Sequence, residues 1–203
     1  MTYYVLRLLF SMKQTAVLIA FISLSFSFLT AQTDTQKVGA GGVVVGDGYA
    51  IALGAPAGWV FETKLALQRG ARVLIYPEEE DIDASPSMIY VNVFPLEGLS
   101  LEAWLTEDIA ALEDEYPGIK ITQHSDLETV DSLSAVVREF DPVDSRYPVK
   151  ERVAYIRLGK HVAIISLSAQ SDDAYNNSIE AFEYVVTGFS DFRKELNKIL
   201  PGE

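Results

Sequence analysis

The chain contains no cysteine. This excludes disulfides, thiolate metal sites, cysteine nucleophiles and the lipidated cysteine that a bacterial lipoprotein carries after its signal. Histidine is almost as scarce. His124 and His161 are the only two, and neither belongs to an H-x-x-x-H or H-E-x-x-H pair, so a zinc site would have to be gathered from distant parts of the sequence. No G-x-S-x-G elbow accompanies them as general bases, and both read as surface or edge-strand histidines in or beside predicted strands. The early glycines Gly39, Gly41, Gly42, Gly46 and Gly48 fail the dinucleotide spacing, and no Gly-Lys-Ser/Thr follows as a phosphate loop needs. They read as a linker, and no cofactor is implied. Positive charge is also in short supply: 16 Lys+Arg stand against 29 Asp+Glu, a net charge of −13. With no basic cluster interleaved with aromatics, a chain this acidic repels phosphate backbones and anionic lipid heads, which argues against nucleic-acid binding.

Long apolar runs are confined to the N-terminus. Lys13 precedes the uncharged stretch "TAVLIAFISLSFSFLTA", Thr15 to Ala31, and polar "QTDTQK" follows. The run is shorter than the ~20 residues a spanning helix needs and ends at a small residue, so residues 1–31 read as a cleaved secretory signal peptide. Cleavage is expected after Ala31, although Leu29 stands three positions back where a small residue is preferred, which leaves a retained signal anchor as the alternative. Met12 makes a better signal start than Met1, so "MTYYVLRLLFS" is a candidate over-extended start. The expected product is exported, periplasmic or extracellular, without an integral membrane anchor once the signal is removed. Roughly 170 mature residues rich in aliphatics and aromatics suffice for one core, hence one domain.

Residues 32–48 read as a flexible leader entering a first strand at the three-valine run, and 49–189 as the folded domain. "SMIYVNVFP" alternates, with Ile89, Val91 and Val93 on one face and Met88, Tyr90, Asn92 and Phe94 on the other. Ser100 caps a helix whose apolar residues Leu101, Leu105, Ile109, Leu112 and Tyr116 fall on one stripe, and Pro117-Gly118 stops it. "VKERVAYIRL" and "HVAIISLSA", joined through Gly159-Lys160, give a strong hairpin signal. Ser171 caps a second helix with a buried stripe of Tyr175, Ile179, Phe182 and Val186, which Gly188 ends. Residues 190–203 are expected to form an amphipathic tail helix carrying Phe192, Leu196, Ile199 and Leu200. Short-turn strands with helices between and after them predict an α+β fold, an antiparallel sheet flanked by helices on both faces.

Three stretches are candidate sites. "PEEEDIDASPS" sets Glu78, Glu79, Glu80, Asp81 and Asp83 close together. Read as a calcium loop it places Asp81, Asp83 and Ser85 at positions one, three and five, but Pro86 takes the glycine's place and Asn92 stands where a bidentate Glu closes the loop. A different cation site on Glu80, Asp81 and Asp83 is the alternative to a solvated loop that charge repulsion keeps extended. Trp59 follows a glycine where a cleft would be lined, whereas Trp104 falls beside Leu101 and Leu105 and packs on the sheet. In "DPVDSRYPVK", Arg146 and Tyr147 are residue types favoured at binding hot spots, set in a loop that is otherwise a plain connection.

An alternating strand running into "GAPAGW", with Pro56 and Trp59, and a hairpin "VAYIRLGKHVAIISLSAQ" followed by the helix "DDAYNNSIEAFEYVVTGF" ending at Phe189 resemble the PsbP-like superfamily. That superfamily includes PsbP and the Ran-binding Mog proteins. The resemblance spans roughly Tyr49 to Phe189. It implies an α/β/α sandwich and a non-enzymatic role in binding or assembling other proteins, here an unknown envelope or secreted partner. No residue set matches the photosystem-docking or Ran-binding determinants, and a secretory signal speaks against nuclear transport. The second reading is a small-ligand or divalent-cation binder, with calcium the cation to test.

Overall fold

The computed structural model describes residues 40–144 and 147–199. The expected signal peptide, its cleavage after Ala31, the choice between Met1 and Met12, and Arg146 all lie outside the described residues.

Two antiparallel sheets form. The larger runs β3(Trp59–Glu62), β4(Val73–Pro77), β5(Ser87–Pro95), β10(His161–Ala169), β9(Lys150–Leu158), β8(Ser134–Phe140) and β6(Ile121–Gln123), with β7(Leu127–Glu128) pairing on β8. The smaller, not anticipated from sequence, joins β1(Gly41–Gly46), β2(Tyr49–Gly54) and β11(Ser190–Asp191). Four of the supposed linker glycines therefore belong to a hairpin: Gly41, Gly42 and Gly46 pair across to β2, and Gly48 turns at φ 74°. The expected tail helix likewise begins as a strand. Ser190 pairs with Ala52 before α4(Arg193–Ile199), which has no fully buried residue.

The β9–β10 hairpin has the predicted register, Leu158 opposite His161, with Gly159 at φ 64°. Only glycine turns there without strain, and a Cβ would also come 2.9 Å from an Arg193 guanidinium nitrogen. Gly188 ends α3(Asp172–Thr187) differently. Its φ is −81°, and what matters is room, since a Cβ would sit 3.0 Å from the Tyr184 carbonyl oxygen. Ser171 caps α3 by accepting from Ala174 N at 3.2 Å, and Asp172 and Asp173 face the positive helix end.

The alternating strands divide the interior in two. One face of the large sheet, carrying Val91, Ile165 and Ile156, packs under α3 through Phe182, Val185 and Val186 and under β2 through Ile51 and Leu53. The other face packs Val153, Tyr155 and Val162 under α2(Leu101–Glu115) through Leu105 and Leu112. Helices thus cover both faces, as expected. A third, small cluster of Ala66, Ala71 and Leu74 holds α1(Lys64–Gln68) at the β4 edge. α3 lies close on β10, whereas α2 reaches its sheet face mainly through long side chains. Among the described residues no helix is long and apolar enough to cross a membrane.

Candidate functional site: a groove on the α2 face of the sheet

Because α2 covers only part of its sheet face and α1 sits at the far edge, the floor between them stays open as a groove of ≈1010 Å³. Alternation along β5 puts Met88, Tyr90, Asn92 and Phe94 on this floor, and β10 adds Ile164, Ser166 and Ser168. Trp104 stands on the α2 wall, stacked on Phe94 at 6.4 Å between ring centres and tilted against Tyr155 at 6.3 Å. Tyr147, Pro148 and Val149 bring in the loop before β9, while Arg69, Ile82 and Asp83 form the opposite lip.

The polar chemistry of the floor centres on Glu151. Its side chain is buried (4% exposed), and the Tyr90 and Tyr147 hydroxyls each donate to it at 2.5 Å, one to each carboxylate oxygen. A carboxylate so buried needs such donors. Here they tie β5 and the 141–149 loop to β9. Ser166, opposite Tyr90 in the ladder, keeps a buried Oγ without a hydrogen-bond partner, an acceptor and donor held in the floor. Among the described lining residues, Asp83, Glu97, Glu107, Asp108, Glu115 and Glu151 are acidic and only Arg69 is basic. The Arg69 guanidinium is itself paired with Asp83 at 2.6 Å. Apart from Glu151 and the serines the floor is apolar, and the described rim residues are mainly acidic.

The sequence candidates divide around this feature. Tyr147 is in the groove wall but is 7% exposed, its ring 5.0 Å from that of Tyr116, so it is a packed wall residue and not a projecting hot spot. Asp83 forms part of the lip. Glu80 and Asp81 do not line the groove, and among the described residues no three of His, Asp and Glu gather to hold a metal ion. The acidic stretch is not extended. Glu80 N donates to the Pro77 carbonyl and Ala84 N to the Asp81 carbonyl, so it folds as consecutive turns with Glu78, Glu79 and Glu80 exposed, while Asp81 Oδ1 accepts from Asp83 N at 2.9 Å and Asp83 pairs with Arg69. Trp59 lines no part of the groove; half-buried at the start of β3, it packs against the main core.

His161 is not an edge-strand residue. It opens the central strand β10, its ring 5.5 Å from that of Tyr49, and its Nδ1 is buried without a partner. Burial, and then the Arg193 charge, hold its imidazole below the ordinary value of 6.5 against the opposing pull of Asp47. His124 lies at the other end of the sheet with Nε2 3.0 Å from Glu139 Oε2. That carboxylate also accepts from the Tyr175 hydroxyl and meets Lys150 Nζ at 3.1 Å, and Lys150 reaches on to Asp141 at 3.2 Å, which Lys120 holds at 2.9 Å. The two histidines are thus in separate environments, neither beside the groove's polar centre.

This ion network predicts a pH dependence. At Glu139 burial acts upward, but the Tyr175 hydroxyl, Lys150 and His124 together outweigh it and hold the carboxyl below its ordinary 4.5. The Lys120 hydrogen bond, helped by Lys150, holds Asp141 below 3.8. As pH falls through these values the unfolded chain takes up protons that the folded chain still refuses, so the stabilisation, fully present above about pH 5, is lost progressively on acidification. Denaturant midpoints measured from pH 7 to 3 are expected to fall below pH 5, and less steeply in Lys150→Met. Identical acid limbs in the two proteins would remove the network as their cause.

Groove chemistry that sequence reasoning missed is carried by Glu151, Ser166 and Ser168. For the serines a signal was present, polar residues at alternate positions in the otherwise apolar β10, whereas Glu151 stands between Lys150 and Arg152 at the charged start of β9 and has none.

No family model matches the chain, and no curated protein does either. The solved structures similar to it are of the PsbP/Mog1-like fold. Among them are cyanobacterial PsbP (CyanoP) from Synechocystis, at 12% identity over 79% of this chain and 98% of that chain with a TM-score of 0.48, and the Saccharomyces cerevisiae Ran-binding protein Mog1p, at 16% over 77% and 97% with a TM-score of 0.49. LpqN, involved in cell envelope biogenesis of Mycobacterium tuberculosis, is similar at 15% over 69% and 82% with a TM-score of 0.44. These likenesses concern fold alone, and function has to be read from the groove.

Proposed function

We propose that this chain is an exported, non-enzymatic binding module of the cell envelope whose groove receives a polypeptide segment carrying apolar and basic side chains. The observation that carries this reading is the groove itself, an open, mainly apolar floor rimmed by carboxylates, with one cation, already paired, among the described lining residues. Aromatic anchors such as Tyr90 and Trp104 supply contact area, and the rim favours positive partners and disfavours acidic ones. Export follows from the sequence signal at residues 1–31. A small amine-bearing apolar ligand is the second reading, favoured by a volume at the upper end of the ~300–1000 Å³ usual for ligand pockets.

The test is photo-cross-linking in the native host, with a photoreactive residue at exposed position 107 on the groove rim or at exposed position 184 on α3, across the sheet. A discrete adduct from position 107 alone, mapping to a segment with Lys or Arg between apolar residues, is the expected result. Equal labelling from both positions, or none from 107, would overturn the polypeptide reading.

A further inference from the structure

The groove has a basic end. Beyond Phe94, Pro95 and Glu97 line both the groove and a second hollow of ≈450 Å³, which the Pro95–Leu99 turn shares with Arg157, Lys160 and His161 from the tip of the β9–β10 hairpin. The Leu96 N–H donates to the Lys160 carbonyl at 2.8 Å, so turn and hairpin tip are joined and the hollow is a fixed part of the sheet's end. Arg157 and Lys160 are exposed, and neither has a carboxylate partner among the described residues; the Arg157 Nε–H only reaches the Gly159 carbonyl at 3.3 Å. Arg193, above the same turn, adds its charge although Asp191 holds it. Glu97 is the one acid in the hollow. In a chain of net charge −13, two cations without a carboxylate partner among the described residues, at one end of an otherwise acidic groove, are a local reversal of sign.

An occupant matching this pattern is apolar and cationic along its length and anionic at one end. Building on the groove reading above, we propose that the groove takes the C-terminal segment of a partner polypeptide and that Arg157 and Lys160 bind its free α-carboxylate. The dimensions agree. From Met88 to Phe94 the floor spans six strand rises, about 20 Å, so an extended segment of about six residues lies on it with its terminus entering the hollow. Guanidinium and ammonium donors to a carboxylate make charge-assisted hydrogen bonds, and terminal-carboxylate capture is an established mode of peptide recognition.

The probe is a ten-residue peptide of alternating lysine and leucine, acetylated at its N-terminus, prepared with a free C-terminal carboxylate and as the C-terminal amide. Binding is read from Trp104 fluorescence in a Trp59→Phe background, since Trp59 and Trp104 are the only tryptophans. The free acid is expected to bind about tenfold more tightly than the amide. This order is diagnostic because the amide carries the greater positive charge, so attraction by net charge alone would favour it. Exchanging both Arg157 and Lys160 for alanine is expected to bring the acid down to the amide's affinity without weakening the amide. Equal binding of the two peptides with a Trp104 response would overturn the carboxylate inference while leaving the groove reading standing. No Trp104 response to either peptide would overturn both. If inorganic phosphate binds through Arg157 and Lys160 while the two peptides bind alike, the hollow is an anion site unconnected to the groove, and the inference again fails.

Discussion

Replacing Glu151 by alanine lowers the folding free energy by about 3 kcal/mol and weakens whatever binds in the groove. The carboxylate is buried between strand and loop, and the Tyr90 and Tyr147 hydroxyls both donate to it at 2.5 Å. Hydrogen bonds to a charged acceptor contribute about 1.5–3 kcal/mol each, and truncation removes this acceptor from two phenol hydroxyls at once. Against a total stability of about 5–15 kcal/mol for a domain of this kind the loss is large. Glu151→Gln keeps the volume and one carbonyl acceptor, so about half the loss is expected. Because Glu151 ties Tyr147 and its loop to β9 and Tyr90 to the floor, both variants should reduce groove binding even where they remain folded. Guanidinium unfolding checks the stability and cross-linking from position 107 the binding. A Glu151→Ala protein within about 0.5 kcal/mol of the parent would mean that the tyrosines do not depend on the carboxylate.

The second large effect lies on the opposite face and separates stability from binding. Phe182 on α3 is fully buried against the sheet, with the Arg152 guanidinium 5.8 Å from its ring centre. Phe182→Ala removes a buried ring and leaves a cavity, at a cost of about 3–5 kcal/mol. Phe182→Leu fills most of the space and should cost under about 1.5 kcal/mol. Groove affinity, measured on the folded fraction at low temperature, should be unchanged in both, because Phe182 contacts the face that β5 and β10 present away from the groove. A parallel loss of peptide binding in Phe182→Leu would show that the two faces are coupled through the sheet.

The elements that could be read in advance are those whose signals are local. Ser100 and Ser171 cap their helices through a side-chain oxygen three residues before the N–H they satisfy, and that geometry needs no tertiary information. The same holds for Gly159-Lys160 in the hairpin and for the apolar alternation of β5. What could not be read depended on distant partners. Ser190-Asp191 becomes a strand only because β2 offers it an edge, and β1 pairs with β2 in a sheet of its own. The first strand was legible at its three valines, but the glycines around it looked like a linker. His161 looked like an edge residue because the sequence does not say that β10 lies at the centre of the large sheet.

The candidate site followed the same division. Acid in "PEEEDIDASPS" is conspicuous along the chain, yet its turns send most of those carboxylates into solvent and only Asp83 reaches the groove. Glu151, one of three consecutive charges that open β9, is inconspicuous until the sheet brings Tyr90 from β5 and Tyr147 from the loop against it. Composition and periodicity by themselves determined the acidic character, the absence of cysteine chemistry, the α+β layering and which face of each strand is apolar, because these depend on residue identity and a spacing of two or four. Where the faces remain uncovered, which charges meet, and that an acidic groove ends in a basic hollow were decided by tertiary structure alone, since each depends on how far α2 and α1 extend over a sheet assembled from segments tens of residues apart.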